Sequence, residues 1–231
     1  MVAIQKIITA AKNAGRTVLT ELESKHILTE AGIPCVIGRV ATTKHEAVGF
    51  ADEITYPVVL KISSPDITHK SDAQGVKTNI RDRAQVEASF ESIVASCRER
   101  YPNADIEGVL VQPMAPAGVE IIIGMTQDSQ FGPVIMFGLG GVLVEVLNDV
   151  AFRVVPLEPH DAGALIREIK GYKLLEGYRG AEPVDVNYLE QMIVRLSRLI
   201  DATPQIAELD MNPVFAYRDG AIVVDARVVL K

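Results

Sequence analysis

Tryptophan is absent from this 231-residue chain and aromatic residues make up only 5% of it, which disfavours modules that stack bases or sugars on aromatic platforms. Cysteine is nearly absent too. Cys35 and Cys97 stand in unrelated contexts without metal-ligand spacing, which argues against a disulfide-stapled secreted framework and points to a reduced, cytoplasmic setting. No apolar run approaches the ~20 residues of a membrane span, and the first segment, MVAIQKIITAAKNAG, is broken by Gln5, Lys6, Lys12 and Asn13. Neither a membrane nor a secretory route is therefore expected. Positive charge is in deficit, 23 basic against 30 acidic residues for a net −7, so no general grip on nucleic acid is expected, although a local basic site remains open. Several chemical signatures are missing as well. There is no GxxxxGK[ST] loop, no third glycine at the Rossmann offset after Gly138-Leu139-Gly140, no HExxH at His45-Glu46 and no GxSxG elbow. What the chain does have is 48% hydrophobic residues, enough to bury a core and to exclude disorder.

Apolar periodicity alternates along the chain. Ile4, Ile7, Ile8 and Ala11 predict a helix closed by Gly15, and Thr20 with Glu23 forms a capping box for a second helix that stops at Gly32. Residues 33–40 read as a strand, 43–54 as a helix and 58–62 as a strand entered from Pro57. The polar stretch SSPDITHKSDAQ then hangs before a second strand at 75–78. Asp82 caps a helix carrying Val86, Phe90, Ile93, Val94 and Cys97, and 108–112 is again a strand. Beyond a Pro/Gly-rich link at 113–118, segments 119–123, 133–137, 142–147 and 151–155 predict an antiparallel meander. A helix starts at Pro159 and another, capped by Asp185, carries Leu189, Ile193, Leu196 and Ile200. Strands at 206–210, 214–217 and 221–224 follow, the last two joined at Asp219-Gly220. The class is α/β (α+β), with a boundary at the link: an N-terminal part over 1–112 and a C-terminal part over 113–231.

Three groups of residues could carry chemistry. Lys61 is a cation inside the apolar strand VVLKI, followed by His69, Lys70, Gly75 and Lys77. A buried cation needs an anionic partner, so Lys61 either pairs with a nearby acid, snorkels from the strand end, or awaits an anionic ligand. In ELDMNP, alternation puts Glu208, Asp210 and Asn212 on one strand face, and a returning antiparallel strand can bring Asp225 to it. Oxygen donors this sparse suit Mg²⁺ carried with a nucleotide, or else they are a solvated sheet edge. In FGLGGVLVEVLNDVAFRVVPL, Gly138, Gly140 and Gly141 permit a close backbone approach to a ligand or a tight turn, and Glu145 and Arg153 can pair with each other. His69, flanked by Asp66, Lys70 and Asp72, is either a surface histidine or an imidazole placed to accept a phosphoryl group.

Taken together, LTELESKHILTEAGIP, VVLKISSPDITHKSDAQGV, the glycine-rich segment and ELDMNP resemble the ATP-grasp β chain of the ADP-forming acyl-CoA synthetases, the acetate–CoA ligase group related to the succinyl-CoA synthetase β chain. The likeness covers almost the whole chain, and THKSD with FGLGGVLVEVLNDV is its most specific part. It implies an ATP-grasp fold of two α/β lobes clamping a nucleotide, and an acid–thiol ligase that forms ATP together with a CoA-binding α subunit, as α2β2. By the same resemblance Lys61 would bind nucleotide phosphate, with Lys77 and Gly75 nearby. Val111, Gln112 and Met114 would line the adenine pocket and Glu120 would hold the ribose hydroxyls. Asn212 and Asp225, with Asp210 beside them, would hold Mg²⁺, and His69 would be a transient phosphohistidine handing its group to Mg²⁺-bound ADP. Gln112 and Asp210 stand where the wider ATP-grasp pattern often has glutamate. Another ATP-grasp ligase with no need of His69, or a non-catalytic module sensing ATP/ADP, are the alternatives.

Overall fold

Helix starts follow the local caps. The structure is a computed structural model that describes residues 1–67, 69–141 and 149–231. It begins with α1 (Val2–Asn13), stopped at Gly15, and α2 (Glu21–Glu30), stopped at Gly32; both glycines adopt positive φ. At the start of α2 the Thr20 hydroxyl accepts from the Glu23 N–H at 3.3 Å and the Glu23 carboxylate accepts from the Thr20 N–H at 2.8 Å. Arg16 also donates to both Glu23 oxygens, at 2.8 and 2.7 Å. Burial alone would raise the Glu23 carboxyl, but Arg16 and Thr20 outweigh it and hold the group below its ordinary 4.5. A lowered folded-state pKa stabilises the fold above the ordinary value and ceases to do so as pH falls through the lowered one. Glu23→Ala is therefore expected to cost about 1 kcal/mol at pH 7, roughly 2–4 °C in Tm, and less at an acid pH where the carboxyl is protonated in the folded state. Thermal melts at the two pH values check this.

The chain forms two compact units, one from residues 36–116 and the other from residues 1–35 together with 117–231. This corrects the division at 112/113: α1 and α2 belong with the C-terminal half. Their apolar faces, Ile4, Ile8, Ile27 and Leu28, sit in the same core as Ile121, Phe137 and Val228. Sequence periodicity shows that a helix has an apolar face but not which distant strand covers it.

The unit over 36–116 contains β1 (Arg39–Ala41), α3 (Lys44–Ile54), β2 (Val58–Ser63), β3 (Val76–Ile80), α4 (Arg83–Arg100) and β4 (Gly108–Pro113). Its sheet is antiparallel in the order β1-β4-β2-β3. Every residue of β2 is buried. Leu60 and Ile62 pack with Ala47 and Ala51 of α3 and Val86, Ile93 and Cys97 of α4. The strand predicted over 33–40 shrinks to β1. Gly38 lies so close to β4 that a Cβ there would be 2.4 Å from the Val111 carbonyl oxygen, and Cys35 instead makes an isolated bridge to Val223.

The other unit continues through β5 (Val119–Asp128), β6 (Gly132–Leu139), β7 (Val150–Val154), α5 (Pro159–Glu168), a 3₁₀ turn (Lys170–Leu174), α6 (Val186–Ala202), β8 (Ile206–Tyr217), β9 (Gly220–Val223) and β10 (Ala226–Leu230). Its sheet runs β10-β8-β5-β6-β7, with β9 also paired to β8, all antiparallel. The predicted meander is thus present as β5-β6-β7, while the strand expected over 142–147 and Glu145 lie outside the described residues. Arg153 pairs with Glu168 at 2.5 Å. The hairpin turn is Arg218-Asp219, one residue earlier than expected, because Gly220 already pairs with Tyr217. The segments 206–210 and 214–217 are one strand, bulged at Asn212-Pro213, and β10 was not anticipated. α2 docks on β10 through the Val228 N–H to Ser24 hydroxyl bond at 3.1 Å, and buries the Glu21–Lys25 ion pair at 2.6 Å. Among the described residues no helix is long and apolar enough to cross a membrane.

Candidate nucleotide and phosphoryl-transfer site

The candidate residues fall in both units. On the unit over 36–116, Lys61 lies in the middle of β2, opposite Leu110 of β4 and Val76 of β3, and is only 4% exposed. Lys77, opposite Leu60 on the neighbouring strand, is half-buried. In this register Lys77 shares a face with Leu60 and Lys61 shares the opposite face with Val76, so the pairing does not bring the two ammonium groups together; Lys61, among apolar neighbours, attracts an anion more strongly than a lysine at an open surface. Gly75 closes the loop before β3. Its carbonyl accepts from the Ile62 N–H and its N–H donates to the Lys70 carbonyl, both at 2.7 Å. A Cβ at Gly75 would be 2.6 Å from the Ile62 side chain, so the loop can return to the sheet this tightly only with glycine.

That loop is better anchored than its polar composition suggests. Ile67 and Ala73, on either side of His69, are buried in the hydrophobic core of the unit. The Asp66 carboxylate accepts from the Asp105 N–H at 2.7 Å, and Arg100 donates to the Asp72 carbonyl. His69 itself is exposed, held between two fixed points with its imidazole open to a reaction partner. Along β4, Val111 and Gln112 are buried, whereas Met114 just past the strand is 39% exposed and donates its N–H to Pro57 at 3.1 Å.

On the other unit, Glu120 is exposed near the start of β5, paired across to Phe215. Along β8, Glu208, Asp210 and Asn212 alternate with the buried Leu209 and Met211, placing the three on one face. Pro213 has no N–H for the ladder, and here β8 carries one residue more than β5: Asn212 and Pro213 stand opposite the single Ile122. The same point is where β8 changes partner from β10 to β9. The Asn212 N–H donates to the Asp225 carbonyl at 3.1 Å and the Val224 N–H to Pro213 at 2.9 Å, which brings Asp225 next to Asn212. Burial pushes the Asp210 carboxyl up to about 6; Arg227 opposes this, and Asp225 and Glu208 add to it.

Among the described residues no group of three or more His, Cys, Asp or Glu side chains could hold a metal ion unaided. Two carboxylates and an amide oxygen fit Mg²⁺ better than they fit a zinc or calcium cage, because Mg²⁺ takes one or two carboxylates and completes its octahedron with waters and phosphate oxygens. Arg227, opposite Asp210 and ion-paired to Glu208, is a neighbour of this donor set that the sequence did not disclose. It sits on β10, the unforeseen strand.

A family model described as an ATP-grasp domain matches residues 10–230. The chain is 49% identical over 226 residues to the acetate–CoA ligase [ADP-forming] I subunit beta of Pyrococcus furiosus, covering 98% of this chain and 97% of that one. Its fold is similar to that of the dinucleotide-forming acetyl-coenzyme A synthetase 1 of Ca. Korarchaeum cryptofilum in complex with coenzyme A, Ca-AMPCP and HgCl⁺, with a TM-score of 0.96 at 48% identity over 98% of this chain and 99% of that one. A second structure of that enzyme, with coenzyme A and Mg-AMPPCP and a phosphohistidine segment pointing towards the nucleotide binding site, gives a TM-score of 0.86 at 45% identity over 99% and 100%. The chain therefore belongs to the ATP-grasp family, among the β subunits of the ADP-forming acetate–CoA ligases.

Proposed function

We propose that this chain is the nucleotide-binding subunit of an ADP-forming acyl-CoA synthetase, acting with a CoA-binding α partner as α2β2 in the cytoplasm. The whole reaction is acyl-CoA, ADP and phosphate giving acid, ATP and CoA. This chain's share is the transfer of a phosphoryl group from a phosphohistidine to ADP. The N–P bond breaks with its electron pair returning to the imidazole, and a β-phosphate oxygen of ADP forms the new O–P bond. Lys61 neutralises the nucleotide phosphates, with Gly75 closing the loop beside it, while Gln112, Met114 and the backbone at Val111 line the adenine and Glu120 accepts from the ribose hydroxyls. Asp210, Asn212 and Asp225 would hold Mg²⁺, which when bound supplies charge neutralisation to the phosphates. His69 receives the group from the partner and presents it to ADP.

The observation that carries the reading is Lys61, a cation kept in a wholly buried strand beside an anchored loop that exposes an imidazole. Phosphoryl transfer asks a protein chiefly for positioning and charge neutralisation, which these groups are equipped to give. The related structure in which a phosphohistidine segment points towards the nucleotide binding site supports the same chemistry. The free thiols Cys35 and Cys97 accord with a reducing location. The test is a single turnover in which the chain, Mg²⁺ and ADP are mixed with α partner carrying a labelled phosphohistidine. Label is expected in ATP. Retention of all label on the partner, with nucleotide still bound, would leave a nucleotide-sensing module instead.

A further inference from the structure

The glycine-rich turn after β6 permits a close approach, and the group approached is Glu120. The Gly140 N–H donates to the Glu120 carbonyl at 2.7 Å, and a Cβ on Gly140 would be 3.1 Å from the Glu120 backbone carbon. The next residue, Gly141, turns with φ +63, and a Cβ there would be 2.7 Å from the Glu120 Oε2. Among the described residues other than its chain neighbours, the only other atom a Gly141 Cβ would meet within 4 Å is the Glu120 carboxyl carbon, at 3.7 Å. One missing side chain therefore decides how far this carboxylate can lie towards the turn. An added methyl would displace the tip of Glu120 while leaving its backbone pairing untouched.

We propose that Gly141 is a positioning residue for nucleotide recognition: its bare backbone allows the Glu120 carboxylate the place from which it accepts from both hydroxyls of a ribose, and so sets the preference for ribonucleotides over their 2′-deoxy forms. This rests on the reading of Glu120 as the ribose acceptor. A carboxylate bound to a vicinal diol makes two charge-assisted hydrogen bonds, and a displacement of about an ångström spoils at least one of them. The oxygen donors of β8 do not come within 4 Å of the Gly141 Cβ position, so the loss falls on nucleotide affinity and not on turnover.

The experiment measures ATP or 2′-deoxy-ATP formation by the complex with its α partner, using ADP and 2′-deoxy-ADP. Gly141→Ala is expected to raise KM for ADP about tenfold, to leave KM for 2′-deoxy-ADP nearly unchanged and to keep kcat within about twofold. The ratio between the two nucleotides is independent of how much enzyme is folded. Gly132→Ala is the control for backbone strain, since Gly132 has φ +77 with nothing within 4 Å of its Cβ position; it is expected to keep the wild-type preference. Glu120→Gln separates the two layers of the argument. If it keeps the ribose preference, the reading of Glu120 fails. If it loses the preference while Gly141→Ala retains it, or if Gly141→Ala slows both nucleotides equally, the positioning role of Gly141 is overturned.

Discussion

Replacing His69 by Asn is expected to reduce ATP formation at least about 10³-fold in the complex with its α partner, while leaving the affinity for Mg²⁺-bound ADP within about twofold. An amide of similar size keeps the polarity of the loop but cannot take a phosphoryl group. The change should be local, because the loop is held by Ile67 and Ala73 in the core and by the Asp66 and Arg100 hydrogen bonds, none of which involves the His69 imidazole. Rapid-quench kinetics with labelled partner then distinguish two routes. Label stalled on the partner's histidine places His69 between donor and ADP. Unchanged turnover would mean that the partner delivers its group directly to the nucleotide.

The second large effect concerns Lys61. Lys61→Met is expected to lower kcat about 10²- to 10³-fold, the range seen when one preorganised charge facing a transition state is removed, and to raise KM for ADP as well. Methionine is flexible and apolar enough to follow the lysine stem through a strand in which every residue is buried. Steady-state kinetics with a thermal melt on the same preparation provide the check. A loss of activity matched by a loss of folded protein would instead make Lys61 structural.

Much of this was legible in the sequence because its causes are local. Thr20, Thr43, Asp82 and Asp185 each accept from a backbone N–H three residues on, so the helix starts could be read from short windows. The alternation of Glu208, Asp210 and Asn212 was legible for the same reason. What was hidden depends on contacts far along the chain. β10 lacks a turn signal strong enough to separate it from β9, and its purpose, to receive α2 and to bring Arg227 opposite Asp210, exists only in the folded sheet. The bulge at Asn212-Pro213 follows from Pro213, but only once β5 is known to be the partner strand. The contact of Gly141 with Glu120 had no sequence signal beyond the glycine itself.

The division of one core between the two ends of the chain has a bearing on biosynthesis. α2 cannot be covered until Val228 and its neighbours on β10 have left the ribosome, since Leu19 donates to the Val228 carbonyl at 3.0 Å and Leu230 to that of Thr17 at 2.7 Å. The residues 36–116 carry their own core and are free to fold first. At a translation rate of about 5–20 residues per second, the apolar faces of α1 and α2 then wait roughly 10–40 s for their strand. During that interval Ile4, Ile8, Ile27 and Leu28 are a nascent-chain surface suited to chaperones, and a ribosome stalled before β10 would hold a chain with one finished unit and one open one.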